Sequence, residues 1–284
     1  MECMSQTVTA ARLESRALVR VAGPDWRVFL QGLLTQDVET LAEGEVRFAA
    51  LLTPQGKLLF DLFLIGGAGG CLLDVAADRR EALIQRLTIY RLRAKVQIEA
   101  AEGEVWAMWP APADSPGPDW AVDPRLPALG LRGYPLAAPY GAEIADEADY
   151  DLHRLRLGVP DPARDCPPET TYPIEANFDL LNGIDFQKGC FVGQETTSRM
   201  KRRGVIKSRM IGLAFDGPAP AFGAEVLAGD LRAGEVLTGL AGMATALVRL
   251  DRAEGAALTV DGAAVRVQWP SYLADSAQTA PRSA

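Results

Sequence analysis

At 284 residues the chain is longer than one hydrophobic core usually serves, so two or three domains are expected. Its 48% hydrophobic and 23% charged residues belong to a folded globular protein, and a net charge of -8 excludes one that coats nucleic acid by general electrostatics. No apolar run approaches the roughly 20 residues that span a bilayer, and residues 1–23 lack the apolar stretch of a secretion signal; the cytoplasm is the expected location, with no membrane partner.

Cys3, Cys71, Cys166 and Cys190 form no CxxC pair. That spacing excludes a zinc ribbon or a self-ligated iron–sulfur cluster, and free thiols with no metal site are expected.

A strand over residues 17–22 leads to Gly23-Pro24-Asp25, which starts a helix through Trp26, Phe29, Leu30, Leu33 and Leu34 that ends near Asp37. Strands at 46–52 and 57–65 are joined by Thr53-Pro54-Gln55-Gly56, with Pro and Gly where a turn takes them. The glycines of 66–70 turn the chain into a strand at 71–75. An amphipathic helix follows over 78–90, then strands at 95–99 and 105–109, so that 46–109 reads as an α+β unit of antiparallel strands around one helix.

Eight prolines between Pro110 and Pro139 predict a loop, in which Trp106, Trp109 and Trp120 are packing anchors. A short helix from Asp149 ends at Gly158-Val159-Pro160; its His153 has no partner nearby in sequence for a catalytic dyad. Short runs at 210–215, 225–227, 234–240, 245–250 and 265–269 have the spacing of a small barrel, and the last dozen residues read as a tail. No phosphate-binding loop is present.

The chemistry concentrates in 172–204. Cys190 lies two residues after Lys188 and just before a helix starting near Gly193. A thiol in that position is either a small buried apolar group or a thiolate favoured by the cation and the helix amides. Gln194 and Glu195 cap the first turn or face a ligand; Arg199, Lys201, Arg202 and Arg203 complement the helix dipole or clamp an anion. Upstream, Glu175 either caps a turn or accepts two parallel donors from a flat heterocycle, with Asn177 and Asp179 close by.

The segment Lys188-Gly189-Cys190-Phe191-Val192-Gly193-Gln194-Glu195 resembles the signature of the YgfZ family, folate-binding proteins related to the aminomethyltransferase (T-protein) of the glycine cleavage system. Residues 29–38, Gln55-Gly56-Lys57, Tyr90-Arg91-Leu92-Arg93-Ala94-Lys95-Val96 and 154–160 agree with it.

The resemblance implies an α+β fold of three domains in a ring. A split first domain (1–45 with 145–205) would accept an insert at 46–144, followed by a C-terminal β-barrel at 206–272 and a tail at 273–284. A monomer is expected, since one chain closes the ring. It further implies tetrahydrofolate or a one-carbon derivative as cofactor and a role in assembling or repairing iron–sulfur clusters of client enzymes, tRNA-thiolating ones included, without direct contact to nucleic acid. Glu175 would hold the pterin, with Asn177, Gln194, Glu195, Arg199 and Arg202 around the folate.

Cys190, Lys188 and Asp61 would carry the chemistry. The transferases have an acidic pair where this chain has Phe60-Asp61, and an aspartate where it has Cys190. A thiol-dependent role is therefore the first reading, and a folate-dependent one-carbon transferase the alternative.

Overall fold

A computed structural model describes residues 7–112, 117–135, 138–139, 141–204, 206–240 and 242–273. Cys3 and the tail at 274–284 lie outside the described residues. The chain forms two compact units: one draws on residues up to 52, 59–150 and 182–192, the other on 53–58, 151–181 and from 193 onward.

The first unit contains β1 (Thr9–Arg12), β2 (Arg16–Ala22), α1 (Trp26–Gln31), β3 (Val46–Leu52), β4 (Leu58–Gly67), β5 (Gly70–Ala76), α2 (Arg80–Arg91), β6 (Gln97–Ala101), β7 (Trp106–Trp109), β8 (Trp120–Val122), β9 (Leu131–Gly133) and β10 (Glu143–Ala145). One sheet has the order β3-β4-β5-β2-β6 and the other β10-β1-β7-β9-β8. Residues 58–64 of β4 are all buried, as an apolar run interrupted only by Asp61 requires of a strand covered on both faces.

Two details differ from the sequence pattern. Helix α1 stops at Gln31 rather than near Asp37, yet Leu33 and Leu34 remain buried, because the chain turns at Gly32 and Leu34 bridges to Leu51. Strand pairing also departs from a single unit over 46–109: β2 enters between β5 and β6, while β7 joins the second sheet. Sequence order cannot reveal such partners, since antiparallel pairing is set by burial across the sheet.

The proline-rich stretch holds β8 and β9 as well as turns. Its prolines fall outside both strands, where a missing N–H costs no ladder bond. The tryptophans anchor as expected: Trp106 is buried with Ala10, Met108 and Leu131, Trp120 packs against them, and Trp109 lies 5.6 Å from the Tyr150 ring.

The second unit carries most of α3 (Glu147–Arg156), then α4 (Pro162–Asp165), α5 (Gln194–Arg203), and β11 (Ser208–Phe215), β12 (Glu225–Ala228), β13 (Leu231–Leu240), β14 (Met243–Arg249), α6 (Leu250–Ala253), β15 (Leu258–Val260) and β16 (Ala263–Gln268). The strands close into a barrel in the order β11-β14-β13-β12-β15-β16, around Ile211, Leu213, Val226, Val236, Ala246 and Val260. The sixth strand, β15, has three residues and gives too short a pattern to read from sequence.

Candidate functional site

In the first unit, the loop that carries Cys190 is fastened from both sides. Asp185 Oδ1 accepts from the backbone N–H of Gln187 and Lys188 at 2.7 and 3.2 Å. Lys188 Nζ donates to the carbonyls of Gln31, the last residue of α1, and of Leu34 and Gln36 in the segment after it, at 2.8, 2.6 and 2.9 Å. Burial lowers its pKa to about 8. All three of its donors are used on this anchor, so Lys188 holds the loop in place. Cys190 itself is exposed, between exposed Gly189 and buried Phe191.

In the second unit, Gly193 adopts a left-handed conformation (φ 81°) and starts α5. A Cβ on Gly56 would stand 2.9 Å from Thr196 Cβ and 3.1 Å from the Gly193 carbonyl, so the 53–56 turn lies against this helix only as glycine. Gln194 is half-buried and Glu195 exposed in the first turn; Arg199, Lys201, Arg202 and Arg203 are exposed and end at Gly204, also left-handed. Arg202 Nε reaches the Ser198 carbonyl at 3.3 Å and Lys201 pairs with Asp179 at 3.4 Å.

Beside this helix lies a hollow of about 470 Å³ lined by Tyr172, Glu175, Met200, Arg203, Ile206, Lys207 and Ser208. Glu175 Oε2 accepts from the Tyr172 N–H at 2.9 Å, so the capping role is real, and the carboxylate still borders the hollow. Lys57 Nζ sits 3.4 Å from the centroid of the Tyr172 ring and donates to the Thr170 carbonyl.

The hollow brings Glu175 together with Arg203 and Lys207. Asn177, Gln194, Glu195, Arg199 and Arg202 are not in its lining. Asn177 is fully buried at φ 62° and donates to the Met210 carbonyl and Tyr272 hydroxyl at 2.7 and 3.2 Å. Arg209 completes that fastening: Nη1 donates to Ile174 O, Asn177 Oδ1 and Asp179 Oδ1, and Nη2 to Asp179 Oδ2. Sequence reasoning missed Arg209, Tyr172 and Lys207. The signal available was the three-residue spacing of Tyr172 and Glu175, which is that of a capped turn.

Asp61, in the first unit, belongs to a buried ionic cluster. It accepts from Arg16 Nη1 at 2.8 Å. Asp74 accepts from Arg16 Nε, Arg132 Nε, Arg132 Nη2 and the Tyr134 hydroxyl at 2.6, 2.8, 2.6 and 3.2 Å. Asp123 holds Arg125, which also donates to the Tyr150 hydroxyl. Arg16, Arg125 and Arg132 surround the Phe63 ring at 5.6, 4.9 and 3.8 Å. Burial would raise the Asp123 carboxyl, but the Arg125 charge and hydrogen bonds bring it below the ordinary value. Asp61 is thus held as an ion-pair partner of Arg16, beside the pairs of Asp74 with Arg16 and Arg132 and of Asp123 with Arg125.

Among the described residues no group of three or more His, Cys, Asp or Glu is placed to hold a metal ion, and no helix is long and apolar enough to cross a membrane.

Residues 207–275 match the family model of the CAF17 C-terminal β-barrel domain. The fold is similar to that of the glycine cleavage system aminomethyltransferase T from Bartonella henselae, with a TM-score of 0.73 at 20% identity over 94% of this chain and 86% of that one. The mitochondrial iron–sulfur cluster assembly factor IBA57 of Mus musculus is 34% identical over 82% of this chain and 76% of its own length. Its Homo sapiens counterpart is 35% identical over 81% and 76%.

Both relatives are named as mitochondrial, which overturns the cytoplasmic assignment. The YgfZ resemblance stands as the coarser description. At this identity and coverage, the chain belongs to the family of the iron–sulfur cluster assembly factor IBA57.

Proposed function

We propose that the protein supports the assembly or repair of iron–sulfur clusters in client enzymes, tRNA-thiolating enzymes among them, by presenting Cys190 to a client or an assembly partner and by holding a reduced folate. The reading is carried by the exposed thiol on a loop whose lysine anchor fixes it. The names of the relatives support cluster assembly, and the aminomethyltransferase-like fold supports a folate. In this reading the chain acts as a monomer. Loss of cluster content in clients under oxidative stress on Cys190→Ser, with the chain's thermal midpoint unchanged, is the expected result. Unchanged content would remove the thiol from the function.

The residues of the hollow fit a folate in kind. Its volume lies within the usual range of about 300–1,000 Å³ for small-molecule sites. Glu175 would accept the paired N–H donors of the pterin, Met200 and Ile206 would give the apolar wall, and Arg203 and Lys207 would meet the carboxylate tail. Tetrahydrofolate, when bound, supplies a carrier for a one-carbon unit. Saturable binding by the wild type and at least tenfold weaker binding by Glu175→Ala are expected in a titration. If neither binds, the folate part fails while the thiol part stands. The transferase alternative would need Asp61 to exchange a proton, and Arg16 holds that carboxylate in a buried pair.

A further inference from the structure

The stretch Tyr90–Val96, part of the sequence signature, has no part in either unit's site. At the end of α2, Leu92 takes φ 44° and ψ -106°, a conformation in which a side chain other than glycine's is strained. It is also 88% exposed, and Ile89, three residues back along the helix face, is 68% exposed. A glycine would end the helix without strain and without placing an apolar side chain in water.

The tip is held firmly at its base. Ala94 N–H donates to the Arg91 carbonyl at 2.7 Å and Lys95 N–H to Asp25 Oδ2 at 2.7 Å. A Cβ on Gly23 would lie 2.4 Å from the Lys95 carbonyl, so the chain there is closely packed. Leu87 and Val96 are buried on either side. The strained residue is therefore presented by a rigid frame.

Charge identifies what it is presented to. Residues 86–95 carry Arg86, Arg91, Arg93 and Lys95 and no acidic residue, in a chain whose net charge is -8. Arg91, Arg93 and Lys95 are exposed, and no ion pair holds any of the four among the described residues.

We propose that residues 89–95 are a docking tip for a partner protein whose surface offers an apolar pocket rimmed by carboxylates. Leu92 and Ile89 enter the pocket and the arginines meet the rim. A bilayer surface would also attract basic and apolar groups, but it requires no fixed backbone, whereas this tip keeps leucine in a strained conformation on a rigid base.

The test uses the full chain with p-benzoylphenylalanine at position 92 and, as a control, at exposed Val122, illuminated in cells. A discrete cross-linked partner is expected at 92 and not at 122. That partner, purified, should bind the wild type with an affinity that falls as salt rises. Leu92→Asp should weaken binding at least tenfold, and Arg91→Ser with Arg93→Ser should flatten the salt dependence. Leu92→Gly separates the side chain from the strain: its thermal midpoint should hold or rise while binding is lost. No cross-link at 92, a partner indifferent to Leu92→Asp, or binding to phosphatidylglycerol vesicles that Leu92→Asp removes would each overturn the proposal.

Discussion

The two units use the same residue types in opposite ways. Around Phe63 in the first unit, Asp61, Asp74 and Asp123 are buried against Arg16, Arg125 and Arg132, and each carboxylate has its guanidinium. Around Tyr172 in the second, Glu175 is half-buried, while Arg203 and Lys207 are exposed at the hollow. Buried charges must be matched or the desolvation is uncompensated; at an open hollow, water serves until a ligand arrives. A carboxylate singled out by motif position is therefore not thereby a reactive one. Asp61 and Glu175 were both candidates, and only Glu175 borders space that a small molecule could fill.

The largest effect is expected at Asp74. Asp74→Ala leaves Arg16 and Arg132 without their shared acceptor, and the loss should be about 3–5 kcal/mol, read as a lower urea midpoint by circular dichroism. If Asp74→Ala unfolds no more easily than the wild type, the cluster is not what holds the first unit. The second unit has its own matched pair in Arg209, so Arg209→Lys should cost about 1.5–3 kcal/mol through the lost two-pronged contact with Asp179 and the contact with Ile174 O.

How much of this was legible follows from range. The strands at 46–52 and 71–75 and the helix at 194–203 came from patterns complete within ten residues. The barrel came from turn spacing, with only its three-residue strand lost. Local pattern singled out Glu175 and Cys190 as candidates as well. It could not find Arg209, whose partners lie 30 to 35 residues away, nor the cluster uniting Arg16, Asp74 and Arg132 across 58 residues at each step. Sequence placed Lys188 by Cys190, and it could not show that the donors of its ammonium go to carbonyls more than 150 residues away.

At Lys188 the expected effect depends on pH. Lys188→Met leaves three carbonyls without a donor and should cost about 1–2 kcal/mol. Burial lowers its pKa from 10.5 to about 8, so between those values the unfolded chain binds more protons than the folded one. Stability from this group therefore rises with pH from 8 towards 10.5. The wild type's thermal midpoint should gain on Lys188→Met over that window; a constant difference between the two would show that the lysine keeps an ordinary pKa.

The smallest effect is expected at Lys57, which stands over Tyr172 without entering the lining of the hollow. Half-buried and bonded to the Thr170 carbonyl, its ammonium acts on the ring from outside. Lys57→Met should lower stability by about 0.5–1 kcal/mol, the worth of a cation–π contact near the surface. Folate affinity should stay within twofold of wild type, because the residues that would meet the pterin and its tail are untouched. A tenfold loss on Lys57→Met would mean that the cation belongs to the ligand's surroundings, and that the half-open charges of the second unit extend through the 53–58 turn.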